Sequence, residues 1–188
     1  MKIPLHYYGD PILRTKSLPI SEITEEIKEL VKDMIDTMDA NHGIGLAAVQ
    51  VGRPIRLFVS RRLRASSPNN EELSKESYVY INPKIIDQSQ EVEKFQEGCL
   101  SIPGLRLTVS RPSYVKILST QLDGTAIIEE LYGIDARVIF HENDHLNGVL
   151  FIDRVKQQDD LAPEAKNQLT QLKKQFCKTN KEKLLKRE

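Results

Sequence analysis

Two stretches of the chain place hydrophobic residues at the three- and four-residue spacing of an amphipathic helix. The first covers residues 21–39. Ser21 can cap its start, and the polar, glycine-containing segment 41–45 ends it. The second covers residues 135–147, and Gly148 stands where a glycine commonly ends a helix. The pattern therefore predicts two amphipathic helices far apart in the chain.

Short β-prone runs occupy much of the chain between these two helices. Residues 55–60 form one run, and residues 78–131 contain several more. The later runs are separated by turn-forming pairs: Asn82-Pro83, Pro103-Gly104, Arg111-Pro112 and Asp123-Gly124. This middle part is therefore predicted to be mostly antiparallel sheet. The polar residues 61–77 are predicted to form an exposed connection.

The last part of the chain carries a further helical signal. The residues LFID at 150–153 predict a return to extended structure, and Pro163 is suited to a helix start. The Lys-rich finish is expected to fray, so residues 163–188 are predicted to be a helical, partly frayed tail. A chain of 188 residues has the length of one domain with a sizeable core. We therefore predict a single domain over residues 1–188.

Charge and cysteine content restrict the partners and the compartment. Lys plus Arg and Asp plus Glu both number 27, so no net charge attracts nucleic acid or an anionic membrane. Cys99 and Cys177 are too few for a disulfide scaffold and suit a reducing compartment. No apolar stretch approaches the length of a membrane span, and the start has no apolar signal run. We therefore expect a cytoplasmic protein with no membrane or direct nucleic-acid role.

The second predicted helix contains the sequence HENDH. His141 and His145 lie one turn apart on one helix face, with about 5 to 6 Å between their Cβ atoms, so both can bind one ion. Glu142 is rotated by about 100° from His141 and can approach a water molecule on that ion. Two ordinary core histidines would leave the Glu142 carboxylate near the core without a partner. The motif therefore predicts a divalent metal site with Glu142 as its proton shuttle.

The metal site needs a third protein ligand, and two residues can supply it. Glu164 lies downstream of the motif, where thermolysin-like zinc endopeptidases take a Glu ligand from a later helix. Cys99 lies in EGCLS between two β-prone runs, where a turn could present its thiolate. No histidine follows His145, which excludes the metzincin motif. The residues alone do not decide between these two ligands. If Glu164 is the third ligand, the chain would be a zinc endopeptidase.

Three separated blocks resemble the peptide deformylases and occur in the same order. They are GIGLAAVQ at residues 43–50, EGCLSIPG at 97–104 and HENDHLNG at 141–148. The resemblance extends from Asp10 to Arg154 and so covers most of the chain. It implies Cys99 as the third ligand. It also implies an α+β fold in which antiparallel sheets surround a central helix that carries the metal motif.

The resemblance also implies a reaction. Deformylases remove the formyl group from the N-terminal formyl-methionine of newly synthesised polypeptides and release formate. One divalent ion would be held by Cys99, His141 and His145: Fe²⁺ in the cell, with Zn²⁺, Ni²⁺ or Co²⁺ as alternatives. The ion would convert water into the attacking hydroxide, and Glu142 would act first as general base and then as general acid. A homologue that binds metal without turnover is a further alternative, weakened by the presence of all these residues.

Partners and further site residues follow from the same resemblance. The partners would be nascent N-formylmethionyl polypeptides, met at the ribosome, and the chain would be a monomer or a weak homodimer. The Gln50 amide and the Leu100 backbone N–H would stabilise the developing oxyanion, with Gly45 beside the formyl group. We expect Asp144 to pair with Arg111 behind the site. The candidates for an apolar slot that takes the methionine side chain are Ile44, Phe95, Ile134 and Val138.

Overall fold

The computed structural model describes residues 1–63, 73–155 and 161–185, with side chains as far as residue 176. The described ranges contain the helices α1 (Glu25–Ala40), α2 (Gly133–Leu146) and α3 (Pro163–Leu185). Their strands are β1 (Gly45–Ala47), β2 (Leu57–Ser60), β3 (Tyr78–Gln88), β4 (Val92–Cys99), β5 (Ile102–Pro112), β6 (Tyr114–Thr120) and β7 (Ala126–Tyr132). Short 3-10 helices cover Pro11–Arg14, Ala48–Val51 and Phe151–Arg154.

The strands form two antiparallel sheets. Five strands make one sheet in the order β1-β2-β3-β6-β7, and β4 pairs with β5 in a separate hairpin. The antiparallel sheet predicted for residues 78–131 is therefore confirmed, as is the α+β class. No helix in the described ranges is both long enough and apolar enough to cross a membrane. Of the predicted connection at 61–77, residues 64–72 lie outside the described ranges.

Helix α1 begins later than the hydrophobic pattern indicated. Its N-cap is Thr24, whose hydroxyl accepts a hydrogen bond from the Ile27 N–H at 3.4 Å, so the expected cap at Ser21 was wrong. Both residue types can cap a helix, but Thr24 is followed at once by Glu25 and Glu26. Acidic side chains in the first turn are stabilised by the positive end of the helix dipole. The apolar face of α1 then packs on β1, β2 and β3.

Helix α2, which carries the HENDH sequence, packs on the five-stranded sheet. Ala136, Ile139 and Phe140 lie in a buried cluster with side chains from β2, β3, β6 and β7. The helix ends as predicted. Gly148 has a φ of 70°, and its N–H donates to the His145 carbonyl at 3.1 Å. A glycine in this left-handed conformation terminates α2 and turns the chain away from it.

The segment after α2 differs from the sequence expectation. LFID does not extend but forms the 3-10 helix Phe151–Arg154. The Asp153 carboxylate accepts a hydrogen bond from the Leu150 N–H at 2.8 Å, which closes a local turn that the apolar run concealed. Helix α3 begins at Pro163, as predicted. The expected fraying concerns residues whose side chains lie outside the described part of the chain.

Candidate metal centre

Cys99, His141 and His145 come together where the β4–β5 hairpin meets α2. Cys99 is the last residue of β4, and the strand register shifts between Gly98 and Cys99 just before the hairpin turn. The two histidines lie on α2 with their ring centroids 5.1 Å apart. The ligand atoms of all three residues lie within 4.8 Å of one another, and Cys99 Sγ is 3.3 Å from His145 Nε2. This is a suitable spacing for one shared ion.

Of the two candidate third ligands, Cys99 lies in this cluster and Glu164 does not. Among the residues that the structure describes, Cys99 and the two histidines are the one group of three or more His, Cys, Asp or Glu side chains close enough to hold a metal. Glu164 is exposed in the first turn of α3 and is not a member of this group. A sulfur and two imidazole nitrogens form a donor set that suits zinc and other divalent transition metals.

The two histidines have opposite electrostatic surroundings. Burial disfavours the charged form of His141, but hydrogen bonds with Cys99 and Glu97 outweigh burial and raise its pKa to about 10. Burial lowers the pKa of His145 well below its ordinary value, and the charges of His141 and Arg111 lower it further. The surroundings therefore favour one positive charge at this pair. A metal bound here would replace the proton of His141 and use the neutral imidazole of His145.

Glu97 lies behind the cluster and accepts hydrogen bonds from three side chains. His141 Nδ1 donates to it at 3.0 Å, and Arg111 forms two bonds to it at 2.7 and 2.9 Å. Arg137 Nη1 donates to Glu97 Oε1 at 2.8 Å. Burial opposes ionisation of Glu97, but the bonds from Arg111 and His141 outweigh it and hold its pKa well below the usual range. An ionised Glu97 keeps the proton of His141 on Nδ1 and leaves Nε2 free for a metal.

Arg111 links Glu97 to a second buried carboxylate. Its Nη1 donates to Asp144 Oδ2 at 2.7 Å, which confirms the predicted pairing. Arg154 donates to the same Asp144 carboxylate at 2.5 and 3.0 Å. The exposed fractions of Arg111, Glu97 and Asp144 are only 4%, 5% and 5%. The network therefore joins the hairpin that carries Cys99 to the helix that carries the histidines.

We expect Arg111→Met to lower the free energy of unfolding by about 3 to 5 kcal/mol, because it leaves two buried carboxylates without this partner. Urea denaturation of the purified variant measures the loss. Arg53→Met is the matched control, because Arg53 pairs with Glu26 at the surface, where the two side chains are 42% and 70% exposed. Its expected cost is about 0 to 1 kcal/mol. Equal losses in both variants would contradict a special contribution from the buried network.

Gln50 is buried beside the cluster with its amide held in one orientation. Its Oε1 accepts a hydrogen bond from the Ala47 N–H at 2.8 Å. Its Nε2 donates to Ser101 Oγ at 3.1 Å and lies 3.5 Å from Cys99 Sγ. Leu100 follows Cys99 in the hairpin turn. The two groups expected to stabilise an oxyanion are therefore both adjacent to Cys99.

Glu142 follows His141 on α2 and faces Gly45 in β1. A Cβ atom on Gly45 would lie only 2.3 Å from Glu142 Oε1, so a glycine is required for the carboxylate to occupy this position. Glu142 is 3% exposed, and burial raises its pKa to about 7 against the opposing charges of His141 and Arg111. Its Oε2 has no hydrogen-bond partner within the described ranges. A buried carboxylate oxygen of this kind is well suited to accept a proton from a bound molecule.

Comparison with known proteins identifies the family. The family model of the polypeptide deformylases matches residues 3–160. This chain belongs to the polypeptide deformylase family. A peptide deformylase of Acinetobacter baumannii (strain SDF) is 44% identical over 151 residues, which are 80% of this chain and 81% of the relative. One of Bradyrhizobium sp. (strain ORS 278) is 46% identical over 144 residues, or 77% and 81% of the two chains.

Solved deformylase structures share the fold. The crystal structure of peptide deformylase from Thermus thermophilus matches with a TM-score of 0.82 at 35% identity, over 93% of this chain and 99% of that chain. The resemblance carried by the three sequence blocks is thereby confirmed, and the chain is a hydrolase of the deformylase family. The family implies a divalent metal ion. The sulfur–imidazole donor set and the unpartnered Glu142 Oε2 within the described part of the chain both fit such an ion.

A cavity of about 1320 Å³ opens over the cluster of this deformylase-family chain. Cys99, His141, Glu142 and Gln50 line it. The four residues expected to hold a methionine side chain also line it: Ile44, Phe95, Ile134 and Val138. Ile44 is 38% exposed and Phe95 52% exposed, whereas Val138 is only 6% exposed. The apolar part of the wall therefore runs from the rim of the cavity into the interior.

Proposed function

We propose that this chain removes the N-formyl group from the N-terminal formyl-methionine of newly synthesised polypeptides and releases formate. The observation that carries the proposal is that Cys99 and His141 of the Cys–His–His cluster line the same cavity as Glu142. The family and the relatives named peptide deformylase support the same reaction. An amide carbonyl placed over the cluster would meet a metal, a base and hydrogen-bond donors together.

We propose that Cys99, His141 and His145 hold one divalent ion, Fe²⁺ in the cell, with Zn²⁺, Ni²⁺ or Co²⁺ able to replace it. When bound, such an ion supplies Lewis acidity, which activates water near neutral pH and polarises a carbonyl oxygen. The mixed sulfur and nitrogen donor set supports the proposal, because these ligands accept several divalent metals. Glu97, through His141 Nδ1, would hold one of the imidazoles in its binding orientation.

We assign the proton transfers to Glu142. Its carboxylate would take a proton from the attacking water and later deliver it to the nitrogen that leaves as the free amine. A group that accepts and then donates a proton works best when its pKa lies near the pH of the reaction. The burial that raises the pKa of Glu142 to about 7 supports this role. The close contact with Gly45 would keep the carboxylate in the cavity wall.

The remaining polar groups would stabilise the negative charge that develops on the formyl oxygen. We assign the Gln50 Nε2–H and the Leu100 backbone N–H as donors, with Gly45 beside the formyl group. The hydrogen bond from the Ala47 N–H to Gln50 Oε1 supports this assignment, because it directs the donating end of the amide toward Cys99. Donors fixed before the reaction cost no reorganisation when the charge appears.

The methionine side chain would occupy the apolar part of the cavity wall formed by Ile44, Phe95, Ile134 and Val138. These residues line the same cavity as His141, so a side chain bound there would extend from a formyl group at the cluster. We further propose a cytoplasmic reaction on nascent chains at the ribosome, by a monomer or weak homodimer. The balance of 27 basic and 27 acidic residues supports substrate capture by this cavity rather than by overall charge.

The direct test is formate release from a short formyl-Met peptide. Protein purified without oxygen and loaded with Fe²⁺ or Ni²⁺ is expected to release formate, and a chelator is expected to abolish it. The same peptide without its formyl group is the control and should remain uncleaved. If protein with a bound ion released no formate but cleaved the unformylated peptide, the proposed function would be wrong and the chain would act as an endopeptidase.

Gly45→Ala is expected to lower formate release by about 100-fold, because displacing a catalytic group by about 1 Å can cost this much. The new Cβ would lie 2.3 Å from Glu142 Oε1 and must displace the carboxylate. Steady-state kinetics at equal metal content measure the effect. Gly98→Ala is the control, because its Cβ would have no neighbour closer than 3.5 Å among the described residues. Full activity in Gly45→Ala would show that the position of Glu142 is unimportant.

A further inference from the structure

Arg137 connects α2 to both strands of the β4–β5 hairpin. It lies one helical turn before His141, and its exposed fraction is only 7%. Its guanidinium donates to Glu97 Oε1 at 2.8 Å, to the Glu93 carbonyl at 2.8 Å and to the Val109 carbonyl at 2.9 Å. A planar guanidinium that makes several hydrogen bonds at once has little freedom to rotate. The head of Arg137 is therefore fixed against the hairpin.

The same guanidinium lies against the ring of Phe95. Its central carbon is 5.8 Å from the ring centroid, within the range of a cation–π contact. Phe95 lies on β4 between Glu93 and Glu97, the two residues that Arg137 binds on that strand. The ring is 52% exposed, yet it lines the cavity. Contact with the fixed guanidinium of Arg137 restricts the positions that this exposed ring can take.

We infer that Arg137 determines which first side chain the cavity accepts, because it holds Phe95 as one wall of the apolar slot. This inference rests on the proposed deformylase function. Arg137 acts here as a positioning residue, and Phe95 makes the contact with the substrate. An aromatic wall suits methionine, because a thioether packs favourably against an aromatic ring. A fixed wall also limits the width of the slot and so disfavours bulkier first residues.

The test compares two formyl peptides that differ only in their first residue, Met or Phe, for the wild-type chain and Arg137→Met. We expect the wild type to prefer Met. In the variant, the ratio of kcat/KM for the Met peptide over the Phe peptide is expected to fall about tenfold, the order by which one apolar contact discriminates. Arg137 also bonds Glu97 behind the metal cluster, so a loss of that support would lower kcat/KM for both peptides alike and leave their ratio unchanged. Only a change in the ratio, expected through KM, reports on the slot. Lys94→Met, an exposed neighbour of Phe95 on β4, is the control with an unchanged ratio.

A second variant keeps the inference testable if Arg137→Met folds poorly. Phe95→Ala leaves the hydrogen bonds of Arg137 in place and should lower the same ratio to a similar extent. The double variant should lower it no further, because both changes remove one wall. An unchanged ratio in either single variant would overturn the inference, as would an equal loss for both peptides accompanied by loss of metal. No formate from the wild type with any formyl peptide would instead refute the proposed function.

Discussion

Glu142→Gln is expected to lower kcat for formate release by a factor of about 10² to 10⁴, the usual contribution of a general acid–base group. Glutamine has nearly the size of glutamate, so the packing against Gly45 and the positions of both histidines should persist. The amide cannot accept the proton of the attacking water. Metal content is therefore expected to remain near that of the wild type while turnover is lost. Metal analysis and steady-state kinetics on the same preparation measure both quantities.

The metal-free folded state gives a second measurement on the same variant. Burial raises the pKa of Glu142 to about 7, so above the ordinary pKa of a carboxyl group its ionisation favours the unfolded chain. A neutral glutamine removes that cost. The free energy of unfolding of metal-free Glu142→Gln at pH 8 should therefore equal or exceed that of the wild type. Lost turnover in a protein that is no less stable would exclude general misfolding as the cause.

Glu164→Gln is the matched control for this experiment. Glu164 is exposed at the start of α3 and is not in the metal cluster, so we expect normal metal content and normal formate release. The opposite pattern would support the endopeptidase arrangement, in which Glu164 binds the metal. If Glu142→Gln retained turnover, the proposed role of Glu142 in proton transfer would be wrong, whatever the result for Glu164→Gln.

Local patterns in the sequence were sufficient for the parts of the site that lie on one element. His141 and His145 are four residues apart, so the helix geometry alone places them on one face. The end of α2 just before Gly148 could also be predicted from a local pattern, since a glycine takes the left-handed conformation at little cost. Cys99 is different. From the residues alone, Cys99 and Glu164 were both candidates for the third metal ligand. Only the resemblance of the three separated blocks to the peptide deformylases favoured Cys99.

Behind the site, the pair of Arg111 and Asp144 was predicted, but the contributions of Glu97 and Arg137 were not. Glu97 and Arg137 are 40 positions apart in the chain, and their hydrogen bond exists only because the hairpin packs against α2. A buried carboxylate and a buried arginine carry no local pattern that distinguishes them from exposed charges. The one indication of their role in the sequence is their position: Glu97 begins the EGCLS block, and Arg137 lies one helical turn before His141. The prediction of extended structure at LFID was wrong for a related reason. The hydrogen bond from the Leu150 N–H to the Asp153 carboxylate favours a 3-10 turn, which the apolar pattern does not indicate.

Cys99→Ala is expected to have the largest effect on metal binding, because it leaves only two of the three proposed ligands, the imidazoles of His141 and His145. We expect substoichiometric metal after purification and formate release below detection, even with added Fe²⁺ or Ni²⁺. Titrating added metal while following thermal unfolding gives an independent readout. A ligand at about 100 times its Kd stabilises the folded state by about 2.7 kcal/mol, and this gain should disappear in the variant.

Two further variants show whether the effect belongs to the ligand position. Cys177→Ala removes the other cysteine of the chain and should keep metal, activity and metal-dependent stabilisation. Cys99→Asp places an oxygen ligand on β4, and since carboxylates also bind zinc, it should recover part of the metal affinity. If Cys99→Ala still bound one ion and released formate, another side chain would have to complete the site. Glu164 would need testing first, which would require α3 to leave the position that it has in this structure.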